Sequence, residues 1–253
     1  LTTNVRLVAF DLDDTLAPSK APLDPRMAEL LVQLLDVVPV CVISGGQFGQ
    51  FQSQLVANLP EGAGDRLARL HLMPTCGTQY YRYENGDWQQ IYAENLTDEQ
   101  KTAAQDALVT SAKRLGLWEE QTWGPILEDR GSQITYSALG QQAPIPAKSA
   151  WDPTGAKKES LRAAAAELLP ELEVRSGGST SVDVTRKGID KAYGMTKLSE
   201  LTGIPPTEML FVGDRLDEGG NDYPVKSVGV PTHAVEGWED TAEFVEGFLA
   251  ARR

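Results

Sequence analysis

The stretch FDLDDT, residues 10–15, closes the apolar, β-branched run VRLVAF (5–10) and sets Asp11, Asp13 and Asp14 directly behind it. A run that is apolar without alternation reads as a strand covered on both faces, the kind found in parallel sheets. Two further runs repeat the arrangement. VPVCVISGG (38–46) opens into Ser44-Gly45-Gly46, and EMLFVGD (208–214) ends at Gly213-Asp214. In an open parallel sheet, ligands bind outside the carboxyl ends of the strands, so three separate polar deliveries to that edge point to a ligand site.

Around these strands the pattern alternates. PLDPRMAELLVQLLDVV (22–38) carries Pro25 behind Asp24, and its Met27, Leu30, Leu31, Leu34 and Leu35 share one helical face. QFGQFQSQLVANL (47–59) is a second helix candidate. Strand, helix, strand, helix predicts a Rossmann-like α/β core built on a parallel sheet. The middle of the chain differs. QYYRYENGDWQQIYAEN (79–95) alternates aromatic and polar residues around Asn85-Gly86-Asp87, a hairpin pattern. Helices are expected at 97–116, with Thr97 as cap, and at 152–170; strands at 131–140 and, around a turn, at 172–186. A helix at 191–204, a buried strand at 225–230 and an amphipathic helix near 238–250 return to the first pattern. The expectation is an α/β core formed by 1–82 and 186–253, interrupted by an α+β domain with an antiparallel sheet at 83–185, and a substrate cleft between the two.

Composition narrows the partners. The chain has 253 residues, 41% of them hydrophobic and 23% charged, enough for a sizeable core. No stretch approaches the roughly 18 apolar residues of a membrane span. The first apolar segment is broken by aspartates before it could act as a signal sequence, so a cytoplasmic protein without membrane partners is expected. A net charge of −13 without a Lys/Arg cluster repels nucleic acid, but admits a small phosphorylated molecule where a local cation reverses the field. Cys41 and Cys76 lack metal-ligand spacing and read as isolated thiols rather than a disulfide. With His71 and His233 as the two histidines, a histidine-rich zinc centre is not expected. The sequence does not separate a monomer from a homodimer.

Asp11 and Asp214, from different strand ends, offer the oxygen donors that Mg²⁺ favours. With its charge neutralised, a phosphoryl group becomes a target for the Asp11 carboxylate, giving an aspartyl-phosphate. Asp13, two residues on, would lie on the same side and serve as acid and base. Ser44 and the backbone N–H groups around Gly45 can donate to phosphate oxygens, and Lys191, at a helix start, can supply a compensating cation. Asp14 reads as a turn residue.

In order and spacing, FDLDDT, VISGG (42–46), Lys191 in GIDKAYG (188–194) and FVGDRLDEGGNDY (211–223) resemble the haloacid-dehalogenase superfamily. The resemblance implies a Mg²⁺ enzyme with Asp11 as nucleophile and Asp13 as acid/base. The metal would meet Asp11, the Asp13 carbonyl and Asp214, supported by Asp222, while Thr15 and Ser44 place the phosphate. An insertion between the second motif and Lys191 matches the C2B cap pattern. EDRGSQITYSALGQ (128–141) and GGSTSVDVTRKGIDKAYG (177–194) are similar to cap segments of the eukaryotic-type α-phosphomannomutases. That implies sugar-phosphate contacts at Arg130, Lys148, Ser181 and Asp183, with Lys20 beside the first motif; for Arg130 the alternative is a pairing with Glu128 or Asp129. Gln141 stands where the mutases carry a second cap arginine, and Lys148 retains charge without a bidentate fork. A weakened distal grip favours hydrolysis of a sugar phosphate. Interconversion of mannose 1-phosphate and mannose 6-phosphate is the alternative, and a non-catalytic sugar-phosphate-binding module a third reading.

Overall fold

The structure, a computed structural model, describes residues 4–252. The chain runs from β1 (Leu7–Phe10) through α1 (Pro25–Val37), β2 (Val40–Ile43) and the short α2 (Phe48–Gln54) to β3 (Leu70–Met73). Asp24 caps α1 by accepting the Arg26 N–H at 2.8 Å, and Pro25 occupies the first turn, where its missing N–H costs nothing. The five apolar residues predicted to share a face are all buried. β4 (Gln79–Glu84) and β5 (Asp87–Ala93) then form the expected hairpin, closed by Asn85-Gly86 with φ values of 54° and 83°. Positive φ at both positions is what a two-residue turn needs to match strand twist.

An inserted stretch follows, with α3 (Asp98–Arg114), β6 (Leu127–Asp129), β7 (Gln133–Ser137), α4 (Ile145–Trp151), α5 (Ala156–Leu168), β8 (Leu172–Ser176) and β9 (Ser181–Arg186). Thr97 and Gln100 form a reciprocal capping box at the start of α3. The four strands make an antiparallel sheet of order β6-β7-β9-β8. Ile134, Tyr136, Val174, Val182 and Val184 pack into one apolar cluster with Ala104, Leu108, Leu161 and Ala165 of α3 and α5. By strand alternation, Gln133, Thr135, Ser137, Ser181 and Asp183 belong to the opposite face.

The chain closes with α6 (Lys191–Thr202), β10 (Met209–Gly213), β11 (Thr232–Ala234) and α7 (Trp238–Ala250). These complete a seven-stranded sheet of order β11-β10-β1-β2-β3-β4-β5, parallel from β11 to β3 and antiparallel thereafter. Val8, Phe10, Val40, Val42, Leu210 and Val212 join a cluster with residues of α1 and α7. Leu7, Ala9, Cys41, Ile43, Met209 and Phe211 join another with Met195 and Leu198 of α6. Burial on both faces explains why the three motif strands are continuously apolar.

Two expectations change. The chain divides into compact units at Ala93/Glu94 and Ile189/Asp190, so the hairpin belongs to the seven-stranded sheet and not to the insertion. β4 pairs with β3 through His71↔Arg82 and Leu72↔Tyr81, and Tyr81 stacks on Phe48 with ring centroids 3.7 Å apart. The segment 225–230 is not a strand. Tyr223–Val228 forms a 3₁₀ turn with Pro224 in its first turn and Val225 as a buried anchor, and β11 starts only after Pro231, whose carbonyl accepts the Phe211 N–H at 2.9 Å. Both cysteines are free, and among the described residues no helix is long and apolar enough to cross a membrane.

A buried histidine lies in the sheet of the larger unit. His71 on β3 is 5% exposed, and its Nδ1 shares a hydrogen bond with the Tyr80 hydroxyl at 2.6 Å while Arg82 donates to the phenol oxygen at 3.5 Å. Burial, aided by the Arg82 charge, pulls the imidazole down to about 4. Its unfolded value is about 6.5, so as pH falls from there toward 4 the unfolded chain takes up a proton that the folded chain refuses. Stability is complete above that window and is lost through it, by on the order of 3 kcal/mol. Urea unfolding between pH 7 and pH 4 should show this slope, reduced in His71→Gln, while the His71 NMR signals stay in the neutral form down to about pH 4.

Candidate active site

Three parallel strands bring the motif residues to one edge. Phe10 at the end of β1 is in register with Val42 of β2 and Val212 of β10. One residue on, the Asp11 N–H donates to the Val212 carbonyl at 3.0 Å, and the Ser44 N–H to the Met73 carbonyl at 3.3 Å. Asp11, Ser44 with Gly45, and Asp214 therefore leave neighbouring strands on the same side. Lys191 reaches them from the first turn of α6, whose cap, Asp190, accepts the Tyr193 N–H at 2.9 Å. Its Nζ lies 2.5 Å from Asp11 Oδ1 and 2.5 Å from Asp222 Oδ1, and the side chain is 1% exposed. Asp222 Oδ2 accepts the Arg215 N–H at 3.1 Å, and the Thr15 hydroxyl donates to Asp214 Oδ1 at 3.3 Å.

Asp11, Asp214 and Asp222 each place a carboxylate oxygen within 4.8 Å of the others. Burial pushes the Asp11 carboxyl up to about 8, with Lys191 opposing and Asp222 and Asp214 reinforcing the rise. Asp214 is raised too, by burial and then by Asp222. Burial pulls Lys191 the other way, but Asp11 and Asp222 outweigh it and hold the ammonium above its ordinary range. Three carboxylates against one ammonium leave two formal negative charges in a largely dry site. Oxygen donors with that deficit suit a hard divalent cation. Gly213 belongs to the same geometry, since a Cβ there would sit 2.4 Å from Asp222 Oδ2 and 2.7 Å from the Phe211 ring.

The Asp13 carboxylate is not part of that cluster and has its own partners. Oδ1 accepts the Lys20 N–H and the Gln54 amide, each at 3.0 Å, and Oδ2 accepts the Gln50 amide at 3.0 Å with the Lys20 ammonium 3.6 Å away. Asp14 is a turn residue, with φ of 59° and its carboxylate on the Ser19 N–H. Ser44 Oγ accepts the Gly46 N–H at 3.1 Å within the loop after β2. Gln50 and Gln54 were not singled out in the sequence; their spacing of four on α2 is the signal that could have found them.

In the inserted unit, the candidate contacts gather along β7 and β9. The Gln141 amide donates to Ser137 Oγ at 2.9 Å, Lys148 Nζ to the Gln141 carbonyl at 3.5 Å, and Ser137 and Ser181 hydroxyls meet at 3.3 Å. Thr135 donates to Asp183 at 2.8 Å and accepts from Gln133 at 2.9 Å. Thr135 and Ser137 thus join residues that the sequence named only singly. Arg130 does pair with Glu128, at 3.0 Å, yet its side chain is only 9% exposed.

Residues 27–251 match the model of the family described as Eukaryotic phosphomannomutase. A probable phosphomannomutase of Caenorhabditis elegans is 26% identical, over 96% of this chain and 95% of the relative. Among solved structures, an IMP-bound mutant of Plasmodium falciparum IMP-nucleotidase is similar at a TM-score of 0.73 and 15% identity, over 97% of this chain and 68% of that one. A haloacid dehalogenase-like hydrolase from Bacteroides thetaiotaomicron gives 0.59 at 15%, over 96% and 99%. These two likenesses speak for the fold, a haloacid-dehalogenase core with an inserted cap. The carboxylates and lysine at its strand edge are those of enzymes that transfer phosphoryl groups on small phosphorylated molecules. Because the family match runs through the core, across the insertion and back into the core, the chain belongs to the eukaryotic phosphomannomutase family.

Proposed function

We propose that the protein is a Mg²⁺-dependent phosphomannomutase that interconverts mannose 1-phosphate and mannose 6-phosphate through a phosphorylated Asp11. The observation that carries this reading is the family match across the inserted unit as well as the core. On the sequence alone, Gln141 favoured hydrolysis; a match extending through the segment that contains Gln141 shifts the balance to isomerisation.

The residues divide the work as follows. Asp11 attacks phosphorus, the bond from phosphorus to the sugar oxygen breaks, and Asp13 gives its proton to that departing oxygen. In the return step a sugar hydroxyl passes its proton to Asp13 as its oxygen attacks the phosphorus on Asp11, releasing the carboxylate. Run first at one sugar position and then at the other, the two steps exchange the monophosphates by way of a bisphosphate. Lys191 stays protonated and balances Asp11 and Asp222. Mg²⁺, held by Asp11, Asp214 and Asp222, with the Asp13 carbonyl as a further donor, would neutralise the phosphoryl oxygens. Ser44, the Gly45 N–H and Thr15 steady the transferring group. Lys20, Arg130, Gln141, Lys148, Ser181 and Asp183 take the sugar hydroxyls and the distal phosphate.

Phosphorus NMR on each mannose monophosphate with Mg²⁺ should show isomer exchange that depends on a trace of hexose 1,6-bisphosphate and outruns release of inorganic phosphate. Phosphate release without exchange would instead assign a sugar-phosphate phosphatase, the reading Gln141 favours, and binding without turnover a non-catalytic module.

A further inference from the structure

We propose that Gln50 and Gln54 are positioning residues, an amide clamp that fixes the Asp13 carboxylate and ties it to Lys20. The inference rests on the reading of Asp13 as acid/base, and goes beyond it by asking what holds that group in place. Residues four apart on α2 share a face, and both amides give hydrogens to Asp13, Gln50 to Oδ2 and Gln54 to Oδ1. Each carboxylate oxygen therefore has its own donor.

The Gln54 amide is oriented by what it gives. Its side chain is buried, its Nε2 serves both Asp13 Oδ1 and the Ala21 carbonyl at 2.8 Å, and its Oε1 has no partner among the described residues. A buried acceptor without a partner is costly. The reverse orientation would set the amide oxygen against a carboxylate and a carbonyl, which is worse. The two acceptors thus dictate the side chain's direction, and Asp13 is one of them.

Gln50 bridges charges. Its Nε2 donates to Asp13 while its Oε1 accepts the Lys20 ammonium at 3.1 Å, so cation, amide and carboxylate form one chain. The loop before α2 makes room for it. A Cβ at Gly46 would lie 2.1 Å from Gln50 Oε1, so a side chain there would push the Gln50 amide out of this position. Proton transfer to a departing oxygen depends on the angle and distance of the acid, and misplacement by about 1 Å can cost on the order of 100-fold. The clamp supplies that placement.

The test separates proton donation from folding. Rapid-quench measurement of phosphoryl-enzyme formation compares hexose 1,6-bisphosphate, whose sugar alkoxide must be protonated as it leaves, with p-nitrophenyl phosphate, whose phenolate leaves unaided. Gln54→Leu and Gln50→Leu should slow the first reaction on the order of 10- to 100-fold and the second by no more than about 3-fold. Gln50 is half-buried, so its variant reports even if Gln54→Leu folds poorly. Asp13→Asn should show the same selectivity, and adding Gln54→Leu to it should slow the enzyme no further, as expected for residues acting through one group. Equal loss with both donors, or losses that add to that of Asp13→Asn, would mean a structural role and overturn the proposal. Wild-type rates in both glutamine variants beside a selective Asp13→Asn would overturn the clamp alone. An unselective Asp13→Asn would remove the acid/base reading beneath it.

Discussion

Replacing Lys191 with methionine should destabilise the metal-free protein by about 3–5 kcal/mol, the usual result of removing one partner from a buried ion pair. The site makes this a severe case. Asp222 is fully buried, Asp11 nearly so, and the Lys191 ammonium is the cation that contacts both. Methionine keeps the length and the apolar stem of the side chain but leaves these carboxylates facing each other and Asp214 without a counter-charge. They can relax by taking up protons or by binding a cation. Mg²⁺ should therefore stabilise Lys191→Met more than the wild type at the same ion concentration; either protein gains about 2.7 kcal/mol where the ion stands at 100 times that protein's own dissociation constant. Urea unfolding with and without MgCl₂ measures both effects. A loss below about 1 kcal/mol without metal would mean that Lys191 is not what balances the cluster.

The core was legible in the sequence because burial on both faces leaves a strong mark. β1, β2 and β10 are uninterrupted apolar runs, each followed by polar residues, and the structure places them side by side. The hairpin was legible as a hairpin, through Asn85-Gly86 and its alternation. Its allegiance was not. Alternation is a local property, whereas the sheet a hairpin joins depends on partners elsewhere, here β3 and the Phe48 ring. The segment 225–230 failed for a related reason: three valines among six residues suit a buried strand, but one anchor, Val225, satisfies a 3₁₀ turn.

The site divides in the same way. Asp11 lies far from Lys191, Asp214 and Asp222 in sequence; the polar residues at strand ends linked Asp11 to Asp214, and the family-like order and spacing brought in Asp222, before the structure gathered them with Lys191. Gln50 and Gln54 carry no such signature, because a glutamine on a helix is usually a solvated side chain. Their part emerges only from the direction of their amides. In the inserted unit, Gln141 was read as a missing arginine. The structure adds that its amide is engaged with Ser137 and its carbonyl with Lys148. The Gln141 side chain thus makes a local contact of its own with Ser137, which pattern matching cannot reveal.

Asp11→Asn should abolish isomerisation, with kcat reduced on the order of 10⁴-fold or more, as befits loss of a nucleophile. The substitution is nearly isosteric, and an amide oxygen can still accept from Lys191, which remains balanced by Asp222. One buried carboxylate fewer also removes the burial cost, and with it the repulsion from Asp222 and Asp214, that together push Asp11 up to about 8 in the wild type. The variant should accordingly fold and bind hexose phosphate while forming no acid-stable phosphoryl-enzyme. Acid quench with radiolabelled hexose bisphosphate reads the covalent step, and phosphorus NMR reads the exchange of isomers. Calorimetric titration with the bisphosphate shows whether the cluster still accepts its ligand. Retention of more than about a hundredth of wild-type exchange would place the attacking group elsewhere and break the chain of inference that begins at FDLDDT.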